Sequence, residues 1–217
     1  MVGFKLTQEQ ELAKKMFREF AENEIKPLVR DMDEAEALDM ALVEKLKRYG
    51  MMGIPYSRDY GGAGADVLTY ALCMEEVSRV DASVGITISV HTSLCCSCIS
   101  EHASEEQKQA FLRPLVDGTK VGCFGLTEPS AGTDAGGVLS TAVKDGDFYI
   151  LNGQKVFTTN SGFADTFIIF ALTNPALGGT KGLSAFIVDR DTPGLTVSKD
   201  IPRMGIRAAS NCEVAMI

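Results

Sequence analysis

Leu12, Met16 and Phe20 recur every fourth residue, and Thr7 with Gln10 supplies a capping box just ahead of them. The spacing predicts a helix with those three side chains on one inward face. Asp39 is placed to cap a second helix carrying Leu42, Val43, Leu46 and Tyr49, closed by Gly50 where a left-handed residue is needed. Asp66 opens a third, with Leu68, Ala71, Met74 and Val77 expected inward. Ser104 with Gln107 boxes the start of another ahead of Phe111 and Leu115. The intervening stretch Ser83 to Ser100 is mostly small and apolar, which suits a helix buried on most sides.

Near Lys120 the period changes from helical to strand-like, with Pro114 and Gly118 as punctuation. Strands are predicted at Val121 to Thr127, Thr166 to Leu172, Leu183 to Asp189 and Leu195 to Lys199. Asn152-Gly153, between Phe148-Tyr149-Ile150-Leu151 and Lys155-Val156-Phe157-Thr158, predicts a tight hairpin. The expected fold is therefore α+β: an all-α helical domain over 1–120, then a β-barrel or sandwich over 121–217. Cys212 to Ile217 read as a strand begun but left unpaired at an edge, and the natural chain is expected to continue beyond it.

Composition narrows the classes. Of 217 residues 45% are hydrophobic and 23% charged, the balance of a globular protein, and the formal net charge of -8 argues against nucleic acid, which needs a basic stripe. No apolar run reaches the ~18 residues of a membrane span, so no membrane insertion is expected, and the first residues carry neither a secretory nor a transit pattern. A cytoplasmic or already processed chain is expected. The six cysteines then read as reduced thiols.

The chemistry concentrates after the first predicted strand. Thr127-Glu128-Pro129-Ser130-Ala131-Gly132-Thr133-Asp134 offers hydroxyls, main-chain donors and a glycine in one loop, which suits a polar cofactor and equally suits an ordinary turn. The loop does not stand alone. In order, the chain shows Tyr60-Gly61-Gly62-Ala63-Gly64, Glu75-Glu76-Val77-Ser78-Arg79, Glu105-Glu106-Gln107-Lys108, Gly125-Leu126-Thr127-Glu128-Pro129, Leu151-Asn152-Gly153-Gln154-Lys155 and Met204-Gly205-Ile206-Arg207. The ordered series spans the whole chain and resembles the acyl-CoA dehydrogenase family, most closely its short-chain, butyryl-type bacterial members.

That resemblance implies FAD as cofactor and an acyl-CoA as substrate. It implies that Phe124, Gly125, Leu126, Thr127, Glu128, Pro129, Ser130, Ala131, Gly132 and Thr133 line the flavin. Leu126 and Thr127 would lie near the ring, and Thr133 near the pyrophosphate and the acyl-CoA. Thr133 stands where the family usually has Ser. A second flavin segment would be Phe157, Thr158 and Thr159, with Thr159 near the reactive nitrogen. Phe157 replaces the family's Trp, keeping an aromatic surface without the indole donor. The implied reaction removes a proton α to the thioester and a hydride from the β-carbon, giving a trans-2-enoyl-CoA. The base in most of the family is a Glu on a C-terminal helical bundle, so no catalytic residue is assigned within 1–217, and the fragment alone is expected to be inactive. An electron-transferring flavoprotein as acceptor, a homo-oligomer, often a tetramer, and a bacterial cytoplasmic setting (or a mature mitochondrial one) are implied as well. Oxygen-using relatives (acyl-CoA or nitroalkane oxidases) and a non-catalytic binding module on the same fold are the alternatives.

Other signals weigh less. Glu75 and Glu76, adjacent on a helix, point apart and make a poor acid and base, and Arg79 is expected to pair with one of them. His91, Cys95, Cys98 and His102 would share a helical face, but at 1.5 Å per residue they spread over ~16 Å, too far for one zinc with ligands at ~2.3 Å. Tyr60 to Gly64 lacks a Walker lysine and reads as a structural turn.

Overall fold

A computed structural model describes residues 5–217. Helix α1 (Gln8–Phe20) has the predicted capping box and runs on through a π turn and a 3-10 turn into α2 (Val29–Ala35). Next come α3 (Met40–Arg48), α4 (Val67–Val80), α5 (Ala82–Ser89), α6 (Ser97–His102), α7 (Glu105–Gln107) and α8 (Arg113–Val116). Asp39, Asp66 and Ser104 are the N-caps foreseen, and Gly50 takes φ +67° after α3. α5 and α6 are joined by a π segment into one helix, Ala82–His102, long and apolar enough by length and composition to cross a membrane. This corrects the reading that no apolar stretch has span length. The helix is mostly buried, with Val84, Ile88, Cys95 and Ile99 placed in two protein cores.

Two helix faces differ from expectation. In α1 the buried residues are Gln10, Phe17 and Phe20, while Leu12 and Met16 are exposed. A strict every-fourth row drifts about 40° per step around a helix of 3.6 residues per turn, so a row containing buried Phe20 leaves the core by Leu12. α1 meets α4 through Phe17 and Phe20, which share a core with Cys73 and Val77, and through polar bonds from Gln10 to Asp66, Lys14 to Glu75 and Arg18 to Glu76. In α4 the buried residues are Leu72, Cys73, Glu76 and Val77, and Leu68 and Ala71 face out.

The second half is one curled seven-stranded sheet. Its strands are β1 (Gly122–Gly125), β2 (Thr141–Asp145), β3 (Phe148–Thr159), β4 (Thr166–Leu172), β5 (Leu183–Asp189), β6 (Leu195–Val197) and β7 (Asn211–Met216), ordered β1-β4-β2-β3-β7-β6 with β5 also on β4. β4 is apolar on both faces because both are covered. Ile168 packs toward the helices with Cys95, Leu112 and Leu115, and Phe167 and Ile169 pack inside the sheet with Val214 and Met216.

The Asn152-Gly153 hairpin does not form. β3 runs straight through it, pairing with β2 up to Asn152 and with β7 from Gly153. A Cβ on Gly153 would sit 2.2 Å from Ser140 Oγ, so this glycine serves a close approach and not a turn. The real hairpin loop is Gly146-Asp147, between paired Asp145 and Phe148, with Gly146 at φ +58°. β7 is also no unpaired edge: it lies between β3 and β6, with Val214 fully buried.

Candidate functional site

β1 and β3 deliver the two segments singled out in the sequence. The Val156 N–H donates to the Thr127 carbonyl at 2.8 Å, which sets Phe124–Thr133 beside Phe157–Thr159. Glu128 and Ala131 exchange main-chain hydrogen bonds at 2.9 and 3.1 Å and close a tight reversal over Pro129 and Ser130. The Glu128 side chain turns inward. It accepts from the Leu139 N–H (2.7 Å), the Ser140 N–H (3.0 Å) and hydroxyl (2.5 Å), and Lys155 Nζ (2.6 Å). Lys155 also donates to the Leu126 carbonyl at 3.3 Å. The two charged side chains are 4% and 0% exposed, a dry ion pair under the loop. Burial pushes the Glu128 carboxyl up, but the hydrogen bonds from Lys155 and Ser140 prevail and hold it below its ordinary range.

The structure sorts the candidate residues. Pro129, Ser130, Gly132, Thr133 and Phe157 are exposed, Leu126, Thr127 and Thr159 half-buried, and Glu128, Ala131 and Thr158 buried. Phe124 turns the other way and packs on Phe170 (5.1 Å between centroids) against the helical core. At Gly125 a Cβ would meet Ile169 Cδ1 at 2.8 Å, so glycine allows β1 to lie close to β4. Phe157 has φ +55°, rare for a bulky side chain, at an irregularity in the β3–β7 pairing between Lys155 and Thr158. On this strained backbone the residue stays 63% exposed and leaves an aromatic surface open.

Polar capacity is left over on this face. Among the described residues the main-chain N–H groups of Leu126, Thr127, Gly132 and Thr133 find no acceptor; the Thr158 hydroxyl also has no partner, but that side chain is fully buried and not on this face. Such donors suit a ligand with carbonyl and phosphate oxygens, and the exposed Phe157 ring suits a planar one. The donor set and the aromatic surface fit a flavin nucleotide.

Lys155 and Ser140 escaped the sequence reading as site residues. Lys155 was in view only as the end of a motif. Nothing local marks a lysine as fully buried, because its partner is 27 positions away.

The remaining signals resolve structurally. Glu76 is buried and bound by Arg18, with Arg79 at 3.4 Å, while Glu75 is exposed beside Lys14. His91 is buried and its Nδ1 accepts the Gly122 N–H at 3.0 Å, tying the long helix to β1; burial lowers its pKa to about 4. His102 is exposed at the other end of the row, and among the described residues no group of three or more His, Cys, Asp or Glu is arranged for a metal. In the Tyr60–Gly64 turn, Gly61 and Gly64 take positive φ and a Cβ on Gly62 would strike the Tyr56 carbonyl.

Comparison with known proteins bears on the fold and the family. The model of the acyl-CoA dehydrogenase N-terminal domain matches residues 7–119, and that of the middle domain residues 123–216. The chain is 53% identical over 213 residues to the short-chain specific acyl-CoA dehydrogenase of Clostridium acetobutylicum, covering 98% of this chain and 56% of that protein. The butyryl-CoA dehydrogenase structure from Megasphaera elsdenii superposes with a TM-score of 0.95 at 42% identity, over 99% of this chain and 57% of that one. A chain of the electron transferring flavoprotein structure of Acidaminococcus fermentans gives 0.96 at 45% identity, over 100% and 57%. The chain thus spans a little over half the length of the curated relatives it matches. With one family model covering the helices and a second covering the curled sheet, this chain belongs to the acyl-CoA dehydrogenase family.

Proposed function

We propose that the chain holds FAD on the face formed by 124–133 and 157–159, as part of an enzyme that dehydrogenates a short-chain acyl-CoA to the trans-2-enoyl-CoA. The observation that carries this reading is the set of unused N–H groups beside the exposed Phe157 ring, on two segments joined by the Val156–Thr127 hydrogen bond. Solved structures of similar proteins include a glutaryl-CoA dehydrogenase in complex with FADH2, at 32% identity. FAD bound here would supply the hydride acceptor for the β-carbon.

This chain's own residues would bind and orient. Leu126 and Thr127 offer main-chain donors to the ring, Thr159 a hydroxyl toward its reactive nitrogen, Phe157 a surface, and Gly132 and Thr133 donors to the pyrophosphate and the acyl-CoA. Glu128 is not the proton acceptor: four hydrogen bonds and a depressed pKa keep its carboxylate occupied. Glu75 and Glu76 are engaged by Lys14 and Arg18. On this reading the base is the family's Glu on a C-terminal helical bundle, outside residues 1–217, and this chain alone would be inactive. Transfer of electrons to an electron-transferring flavoprotein, a homo-oligomeric assembly and a bacterial cytoplasmic location complete the reading.

The 53% identity to a short-chain dehydrogenase, against 35% to the prolyl acyl carrier protein oxidase AnaB, favours dehydrogenation over oxygen use. The test is to mix the protein with FAD, remove free cofactor, and look for a retained visible flavin band. Butyryl-CoA added without oxygen to the complete enzyme should then bleach that band. No retained flavin in the complete protein would favour a non-catalytic module, and oxygen consumption after reduction would favour an oxidase.

A further inference from the structure

The buried Lys155 ammonium touches neither solvent nor the exposed face, yet it contacts the main chain of the loop that forms that face. Its two bonds divide into a charge partner, Glu128, and a carbonyl, that of Leu126. The carbonyl of Leu126 and the N–H of Thr127 belong to one planar trans peptide unit, so they point in opposite directions. Fixing the carbonyl on a buried cation therefore fixes the N–H away from it. The next peptide unit is fully used: the Thr127 carbonyl accepts from Val156 and the Glu128 N–H donates to Ala131. Of these two units, only the one gripped by Lys155 keeps a free N–H.

Glu128 holds the grip in place. Its carboxylate is pinned by Leu139 and Ser140, and Gly153 lets Ser140 approach β3 closely enough to serve it. A lysine bonded only to a peptide carbonyl would lose the opposing charge that keeps its ammonium in a dry site.

We propose that Lys155, anchored by Glu128, is a positioning residue that aims the Thr127 N–H outward at an acceptor oxygen of the isoalloxazine. The inference rests on the flavin reading above and adds a residue that makes no contact with the cofactor. In this arrangement Lys155 acts on flavin affinity through one peptide plane and contributes no charge of its own, because Glu128 neutralises it.

The experiment compares wild type, Glu128→Gln and Glu128→Gln/Lys155→Met. For each, FAD affinity is read by flavin fluorescence, the 15N-labelled Thr127 amide by NMR with and without FAD, and folding by circular dichroism. The charge pair is absent from both variants, but only the double variant lacks the donor to Leu126. The double variant should bind FAD roughly tenfold more weakly than wild type, as for one misdirected hydrogen bond, and Glu128→Gln, whose lysine has lost its anchor, should lose affinity as well. The Thr127 amide should shift on FAD addition in wild type and little in the double variant. A folded double variant with the affinity and Thr127 shift of wild type overturns the positioning role. With every variant made in the complete protein, a wild type that binds no FAD overturns the flavin reading itself. Should the double variant not fold, Thr127→Pro removes the N–H and leaves the ion pair untouched; it should show the same tenfold loss, and unchanged affinity there also overturns the proposal.

Discussion

Each half of the molecule buries a glutamate, and the two are held in opposite ways. Glu76, in α4, accepts from Arg18 at 2.8 and 2.7 Å and from Arg79 at 3.4 Å, with Lys14 at 3.7 Å. Its side chain is 0% exposed, but the Arg18 and Arg79 side chains are 55% and 45% exposed. Glu128 meets a lysine that is itself fully buried. The first arrangement fastens helix to helix with cations that return to water if the bond is lost. In the second, either partner left alone is a stranded charge, and the site it braces is a loop face with unused donors. A buried pair costs desolvation on both sides, so its value lies in fixing geometry more than in stability.

The largest expected effect is that of Lys155→Ala, which leaves Glu128 dry and without its cation. Stability should fall by about 3–5 kcal/mol, read from the denaturant midpoint. A loss under about 1 kcal/mol would mean that the pair behaves like a surface bridge, and the contrast would break.

At Glu76 the expected signature is pH dependence. Hydrogen bonds from Arg18 hold its pKa below the ordinary 4.5, so its contribution is complete above that pH and is lost as the pH falls through the folded value. Glu76→Gln should flatten the acid-side loss of stability below about pH 4.5, by at most about 1.4 kcal/mol per pH unit. Identical acid slopes for variant and wild type would show that the arginines do not hold this carboxylate.

A smaller effect sharpens the functional half of the comparison. Phe157→Gly relieves a left-handed backbone and should raise stability by up to about 1 kcal/mol, while FAD binding weakens because the aromatic surface is gone. Denaturation and flavin titration on one sample would read both. Lower stability in the variant would show that the residue is there for packing.

Legibility in the sequence followed range. Caps at Thr7, Asp39, Asp66 and Ser104 and the strands at 166–172 and 183–189 came out as read, because each is specified by residues within a few positions. The inward face of α1 did not, since an every-fourth row drifts around the helix and only the packing of Phe17 and Phe20 with Cys73 and Val77 decides which side is covered. Asn152-Gly153 misled because a glycine that permits a turn equally permits the close approach of Ser140, and only the neighbouring strand decides which. The two loop segments were legible as motifs, but Phe124's turn toward the helices was not.

By itself, the sequence determined the helix boundaries at the caps, most of the strands, the family through an ordered series of motifs, and the two segments that carry the candidate chemistry. Only the tertiary structure decided that β3 is one long strand, that β7 is interior, and that Lys155 lies buried beneath the loop. The reason is physical: caps and periodicity are interactions over a few residues, whereas burial and the pairing of Lys155 with Glu128 exist only after β1 and β3 have been brought side by side.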